Sequence, residues 1–441
     1  MSLPLLSAAQ MRVADARAVA ERGQSALVQS AGLAVAREAL RLLVAGYGRR
    51  VAVVAGPGLN GADGRAAAHW LRGRGVAVEV FDVVDQPAIL AGYDLFIDAA
   101  FGLGCSRPYG APGIEAPTRV LCVDLPSGVD ADTGRVLGSP VQATVTLALG
   151  AYKYAHVAGA ATRFMGERRF ASLDIVTDAR DALIEDADLA DLVRSAHDDH
   201  KWRHGLAVLA GSPTMTGAAV LVAEGALSAG ASMVRLTSRN DALASTLAPE
   251  VVREERSTID PRVKAVVAGP GLGEDAGEWL APRLRDVRVP VVLDADGLDP
   301  SLIARRSTSS TWLLTPHEGE FARLTGTPVG DDRLEAVRHL ARQTGCVVLL
   351  KGPVTIIAAP SGETRVVTSG TSALATAGSG DVLAGLIGAT IARGHEPLEA
   401  AALAAHLHGR AGSRLGPYPR ASELAGAVRA LLGEVATPLR G

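Results

Sequence analysis

At 441 residues the chain is too long for one ordinary core, so two or three domains are expected. Hydrophobic residues at 48%, charged residues at 21% and 49 glycines describe an α/β protein rich in glycine turns, and 4% aromatics leaves little with which to stack single-stranded nucleic acid. A net charge of −3 gives no electrostatic reason for a nucleic acid or an anionic membrane as partner, so anionic ligands must be met by local backbone and a few cations. Cys105, Cys122 and Cys346 are widely spaced, which predicts buried small hydrophobes in a reducing compartment rather than a zinc site or a disulfide framework. The first residues carry no basic region, and no run of about 18 apolar residues occurs. Neither a signal peptide nor a membrane span is expected, and the cytoplasm is the default location.

Ser7 is placed to cap a helix whose Met11, Ala14 and Ala18 share one face, and a second helix is expected from about Ser25 to Ala45. Val51–Ala55 is an uninterrupted apolar run, as in a strand buried on both faces. It enters Gly56-Pro-Gly-Leu-Asn-Gly-Ala-Asp-Gly64, after which a helix runs through Trp70 to Arg72. Further strands are expected at Val76–Phe81, Asp94–Asp98 and Val120–Asp124. Strand, glycine loop, helix, strand is the doubly wound pattern, whose ligands sit at the carboxyl ends of strands. The first glycine loop lacks the usual dinucleotide spacing, and no strand-end acid is read at the right distance behind it. It still brings free N–H groups, Asn60 and Asp63 to a strand end. Asp98 precedes the glycine loop Gly102–Gly104 with Arg107 close by, and Asp124-Leu-Pro-Ser-Gly-Val-Asp130 adds a third acid-bearing loop. Asn60, Asp98 and Ser127 offer hard oxygen ligands to a cation.

Leu59–Gly64, Asp98 with Gly102–Pro108, and Asp124–Gly134 resemble the NAD(P)H-hydrate epimerase domain. The resemblance implies a Rossmann-like three-layer α/β domain over residues 1–190 that interconverts the two epimers of hydrated NADH or NADPH. It implies potassium on Asn60, Asp98 and Ser127. It also implies contacts to the hydrate from Leu59, Asn60, Gly61, Ala62, Asp63, Gly102, Leu103, Gly104, Cys105, Ser106, Arg107, Pro108 and Asp124, with Asp124 as the acid/base. Leu59 and Ala62 replace an Asn and a Gly of the family's first loop, removing one polar contact and adding a methyl group.

From about Thr177 to Asp199 the composition turns acidic and polar, which reads as a domain boundary, with the second domain starting near Ser195. The second half repeats the strategy of the first. Strands are expected at Gly205–Ala210, Val263–Ala268, Val291–Asp294, Trp312–Leu314 and Cys346–Leu350, with a helix from Ala218 to Ala229. Gly269-Pro-Gly-Leu-Gly273 and Asp294-Ala-Asp-Gly297 follow two of the strands. Pro316 ends the Trp312 strand, and His317 and Glu320 then project from the start of a helix. Lys351-Gly352 at a strand end supplies a point charge for phosphate. The most informative stretch is Ala375-Thr-Ala-Gly-Ser-Gly-Asp381. Gly378, Ser379 and Gly380 let backbone N–H groups crowd an anion, and the helix that opens there adds positive potential. Asp381 stands where a base belongs if a hydroxyl is to be phosphorylated.

Together these segments, spread over residues 200–430, resemble the ADP- or ATP-dependent NAD(P)H-hydrate dehydratase of the ribokinase-like fold, here over 195–441. By that resemblance Lys351, Gly352, Pro353, Val354, Thr355 and Gly380 bind ADP. Ala218, Gly271, His317 and Asp381 face the hydrate, Asp381 is catalytic, and Mg2+ accompanies the nucleotide, with Glu320 a candidate to organise it. Ala377-Gly-Ser-Gly380 stands where the family more often has Gly-Gly-Thr-Gly, and Ser379 keeps the hydroxyl. The expected partners are the hydrates of NADH and NADPH and ADP, without nucleic acid or membrane, and a homo-oligomer is expected. Two rival readings explain less. A ribokinase-like kinase of a vitamin precursor or sugar leaves the first half idle, and a nucleotide sensor leaves Asp381 without a purpose.

Overall fold

The computed structural model describes residues 2–44, 46–193, 200–240, 246–255 and 258–436. The chain divides into two compact units, Leu3–Asp181 and Ala182–Gly441. Ser195, the expected start of the second domain, lies outside the described residues.

In the first unit Ser7 Oγ accepts from Gln10 N and Gln10 Oε1 accepts from Ser7 N, a reciprocal cap that starts the helix Ala8–Arg22. Its buried face is Ala8, Met11, Ala14 and Ala18. Six strands form one parallel sheet in the order Glu167–Ala171, Val145–Leu149, Arg119–Val123, Leu95–Ala99, Arg50–Ala55, Ala77–Asp82. The strands Leu95–Ala99 and Arg50–Ala55 are buried apart from the exposed Arg50 at the start of one of them, which is why Val51–Ala55 carries no polar residue. The helices Gln24–Leu43 and Leu59–Arg72 pack closely, since a side chain at Gly32 would begin 2.4 Å from Ala66 Cβ. Leu3–Leu6 pairs with Tyr152–Lys153, placing Lys153 opposite Leu6.

In the second unit the sheet runs Thr364–Val367, Thr355–Ala358, Val347–Leu350, Trp312–Leu314, Val291–Leu293, Ala265–Ala268, Gly205–Leu209, Met233–Thr237, Val251–Arg253. Pairing is parallel except at Thr355–Ala358, which is antiparallel to both neighbours. The helix Ser379–Ala392 is buried along almost its whole length and lies against Thr216–Ser228. Two glycines permit that approach: a side chain at Gly225 would meet Val382 O at 2.4 Å, and one at Gly385 would meet Val222 O at 2.1 Å. A helix apolar on all sides is the signature of a core element, and this one aims its N-terminus at the strand ends. Among the described residues no helix is long and apolar enough to cross a membrane. The three cysteines are free and buried, as their spacing predicts.

Candidate active sites

In the first unit a cavity of about 440 Å3 opens at the strand ends. Leu59, Asn60, Asp63, Gly102, Leu103, Gly104 and Asp124 line it, joined by Arg12 and Asp15 from the first helix and by Lys153. Cys105, Ser106, Arg107 and Pro108 line a second cavity, which shares Pro57, Phe101 and Gly104 with the first. Gly61 and Ala62 lie outside both linings. Gly61 is there for packing, since a side chain would start 1.9 Å from Gly56 O. The methyl of Ala62 therefore does not intrude on the cavity, whereas Leu59 borders it and is 48% exposed.

Asp124 adopts a left-handed backbone with φ +64°. Its Oδ1 accepts from Lys153 Nζ at 2.6 Å and from Leu149 N at 3.1 Å, and His156 Nε2 lies 2.6 Å from its carbonyl. Lys153 is buried and also donates to Leu149 O and Ala151 O at 2.8 Å each, so every proton of the ammonium is placed. Burial, then Asp124 and Asp15, push the Asp63 carboxyl up to about 8, so it is protonated at neutral pH.

Asp98 is wholly buried beneath the cavity. Ser127 donates to it twice, from Oγ at 2.6 Å and N at 2.8 Å, and Ser127 Oγ also accepts from Phe101 N at 2.8 Å. Burial outweighs these donors and raises the Asp98 carboxyl above its ordinary value. Among the described residues no Lys or Arg pairs with it. Asn60 packs against Gly102, and its buried Nδ2 has no partner. A buried carboxylate without a cation, with the Ser127 hydroxyl on it, offers oxygens that fit a monovalent ion, whereas the orphaned Asn60 Nδ2 is a donor and leaves only the amide oxygen as a ligand.

In the second unit a cavity of about 460 Å3 is lined by His317, Lys351, Gly352, Pro353, Thr355, Ser379, Gly380 and His408. Val354, Ala218, Gly271 and Asp381 are not in its lining. Ala218 and Gly271 meet each other elsewhere, for a side chain at Gly271 would begin 2.6 Å from Ala218 Cβ. Gly378 caps the helix in a left-handed conformation at φ +86°, with Asp381 Oδ2 beside it. The first-turn N–H groups that follow point out of the helix without acceptors inside it. Ser379 Oγ donates to Leu374 O at 2.6 Å, so this hydroxyl fixes the loop instead of waiting for a phosphate.

Gly380 faces a charged pair: a side chain there would start 3.5 Å from Lys351 Nζ and 3.9 Å from Asp294 Oδ2. Lys351 Nζ donates to Asp294 Oδ1 at 2.7 Å, and Thr315 Oγ1 donates to the same oxygen at 2.7 Å. Burial opposes the charge on Lys351, but Asp294 and Glu320 outweigh it and hold the ammonium above its usual value. Burial first, then the Asp294 charge, push Asp381 up to about 7. Glu320 is occupied. Its Oε2 accepts from His317 N at 2.8 Å in a capping box and lies 3.6 Å from Lys351 Nζ. Among the described residues no cluster of three His, Cys, Asp or Glu is arranged to hold a metal. Mg2+ thus has no protein cage here, and the site fits an ion that arrives on nucleotide phosphates.

Several site residues were invisible to sequence reasoning. Asp15 reads only as the solvent face of a helix, and a lone Lys153 after a strand carries no spacing signal. His408, buried and pulled down to about 4 by its burial, sits in an apolar helix. Asp82 corrects one expectation: it ends the strand Ala77–Asp82 in register with Ala55, so a strand-end acid does follow the first glycine loop.

Comparison with known proteins follows the same division. Residues 206–426 match the family model described as NAD(P)H-hydrate dehydratase. Residues 24–91 and 83–155 match that of the YjeF-related protein N-terminus. A bifunctional NAD(P)H-hydrate repair enzyme from Mycobacterium leprae is 37% identical over 98% of this chain and 98% of its own length. One from Synechocystis is 32% identical over 88% of this chain and 86% of its own. Among solved structures, the ADP/ATP-dependent NAD(P)H-hydrate dehydratase of Bacillus subtilis, crystallised with ATP/Mg2+, is 27% identical at a TM-score of 0.52, covering 57% of this chain and 97% of that one. A ribokinase-like superfamily protein from Enterococcus faecalis is similar in fold, at 23% identity and a TM-score of 0.51, over 60% of this chain and 99% of its own.

Proposed function

Because the chain belongs to the bifunctional NAD(P)H-hydrate repair enzymes, we propose that its two units work in sequence on one damaged cofactor. The enzyme returns hydrated NADH and NADPH to the reduced dinucleotide by epimerisation and nucleotide-dependent dehydration. We assign epimerisation to Leu3–Asp181 and dehydration to Ala182–Gly441. A small-molecule kinase with an idle first unit is not favoured, since the relatives are similar over both units.

In the second unit the observation that carries the reading is Asp381. It is half-buried beside the Gly378 cap, pushed up to about 7, and next to the cavity that Lys351 and Gly380 line. The hydroxyl of the hydrate is a poor leaving group. Asp381 takes its proton as the oxygen attacks the terminal phosphorus of ADP, the bridging P–O bond breaks, and AMP leaves. The backbone N–H groups at Gly378–Gly380 meet the charge on the transferring group. The hydrate's own C–O bond then breaks with phosphate as leaving group, driven by the ring nitrogen lone pair, and loss of a ring proton restores the dihydronicotinamide. Mg2+ bound to the phosphates supplies charge neutralisation. Lys351 holds the phosphates from the cavity wall, and His317 borders the hydrate.

In the first unit we assign the proton to Asp63, not Asp124. What supports this is that Asp63 is protonated at neutral pH, while Asp124 is tied to Lys153. Asp63 donates to the departing hydroxyl of the hydrate and takes the proton back when water adds to the other face. Asp124, held by Lys153, forms part of the cavity wall beside the cation that forms on the ring. Potassium on Asn60, Asp98 and Ser127 supplies the missing positive charge next to Asp98.

The test is recovery of the reduced-nicotinamide absorbance from mixed NADH-hydrate epimers with Mg2+, potassium and ADP. Recovery that Asp381→Ala abolishes is the expected result. No recovery with ADP or ATP overturns the assignment.

A further inference from the structure

The second cavity of the first unit, about 590 Å3, holds Cys105–Pro108, which the resemblance sets against the hydrate, but no residue given a chemical step above. Arg65, Asp82, Val83 and Val84 line one part of it, and Arg107 and Pro108 another. It abuts the reaction cavity at Pro57, Phe101 and Gly104, with the N-terminus of the helix Leu59–Arg72 at the junction. A hydrated dinucleotide has two halves joined by a diphosphate, and two adjoining cavities at a helix N-terminus match that shape.

The residues of the second cavity say which half it takes. Asp82 ends the strand next to Arg50–Ala55, where a doubly wound sheet meets a ribose. Arg65 holds that carboxylate in an ion pair and donates through Nη1 to Gly56 O at 2.8 Å. The guanidinium is thus already engaged on both sides and fixes the carboxylate at the cavity wall. Both side chains stay accessible to a ligand, at 43% and 61% exposed. Arg107 gives the cavity a further cation to meet the diphosphate.

We propose that this cavity binds the adenosine half of the hydrate and that Asp82 selects a free ribose 2′-hydroxyl over a 2′-phosphate, making NADH-hydrate the preferred substrate of the first unit. A hydroxyl donates to the carboxylate. A 2′-phosphate brings about two negative charges against it, while Arg65 is already paired with that carboxylate and with Gly56 O. This inference rests on the epimerase reading of the same unit.

The experiment uses the full-length protein without ADP, so that dehydration is silent, and follows conversion of each pure hydrate epimer by chromatography. The wild type is expected to favour NADH-hydrate over NADPH-hydrate by about ten- to hundredfold in kcat/KM, mostly through KM. Asp82→Ala is expected to narrow the ratio to near one, and Asp82→Asn to narrow it partly. Arg107→Ala is expected to slow both substrates alike, because the diphosphate is common to them. Equal KM values in the wild type, or an unchanged ratio in Asp82→Ala, overturn the proposal while leaving the epimerase standing. Failure of the wild type to convert either hydrate overturns the epimerase reading and the proposal with it.

Discussion

Lys351 Nζ lies 2.7 Å from Asp294 Oδ1, so the cation that is to meet the nucleotide is already held by a carboxylate 57 residues away in sequence. Asp294 is 2% exposed and its other support at that oxygen is the Thr315 hydroxyl. Lys351→Met removes one partner of a buried pair and leaves the other. A loss of about 3 kcal/mol in unfolding stability is expected, read by urea denaturation. The KM for ADP is expected to rise in the same variant, and an unchanged KM would take Lys351 out of the nucleotide site.

As the proposed base, Asp381 acts only when ionised. With its carboxyl raised to about 7, dehydration is expected to rise with pH and reach half its plateau near pH 7. Asp381→Asn is expected to lower kcat by about 10²–10⁴ and to flatten that rise, while leaving epimerisation intact. A wild-type profile already flat from pH 5 to 9 contradicts the assignment.

Asp63, as the proposed proton donor, acts in the opposite sense, because its protonated form is the working one. Epimerisation is expected to hold below pH 8 and to decline above it, as the carboxyl at about 8 loses its proton. Asp63→Asn is expected to cost about 10²-fold or more in rate. Measuring both activities of one preparation across pH 6–9 checks the two opposing limbs together.

Asp98 links potassium to stability. Its carboxyl is held above 3.8 in the folded chain, so the folded state favours the protonated form. Its contribution is greatest below 3.8 and is lost as pH rises through the folded value. A cation beside the carboxylate offsets that loss. At pH 7.5, potassium chloride is expected to raise the Tm relative to choline chloride at the same ionic strength, the unfolding free energy growing by ~2.7 kcal/mol at a hundred times Kd. Asp98→Asn is expected to erase the potassium-specific rise. Equal Tm values in the two salts count against the ion site.

The sequence by itself determined the strands that end in acids, the glycine loops after them and the acid behind Gly378–Gly380. Those features are local: apolar runs, turn residues and caps act over a few neighbouring positions. The Met11, Ala14 and Ala18 face and the helix opening at Ser379 were legible for that reason. The tertiary structure alone decided which carboxylate holds a proton. Asp63 and Asp124 look alike in sequence, yet burial, then the charges of Asp124 and Asp15, hold the proton on Asp63, while Lys153, 29 residues on, forms an ion pair with Asp124. It also showed that Ser379 and Glu320 are tied into the backbone around them, and that Asp82 stands beside the first glycine loop. Charge and burial act through space, so residues distant in the chain set each other's chemistry only once the fold has brought them together.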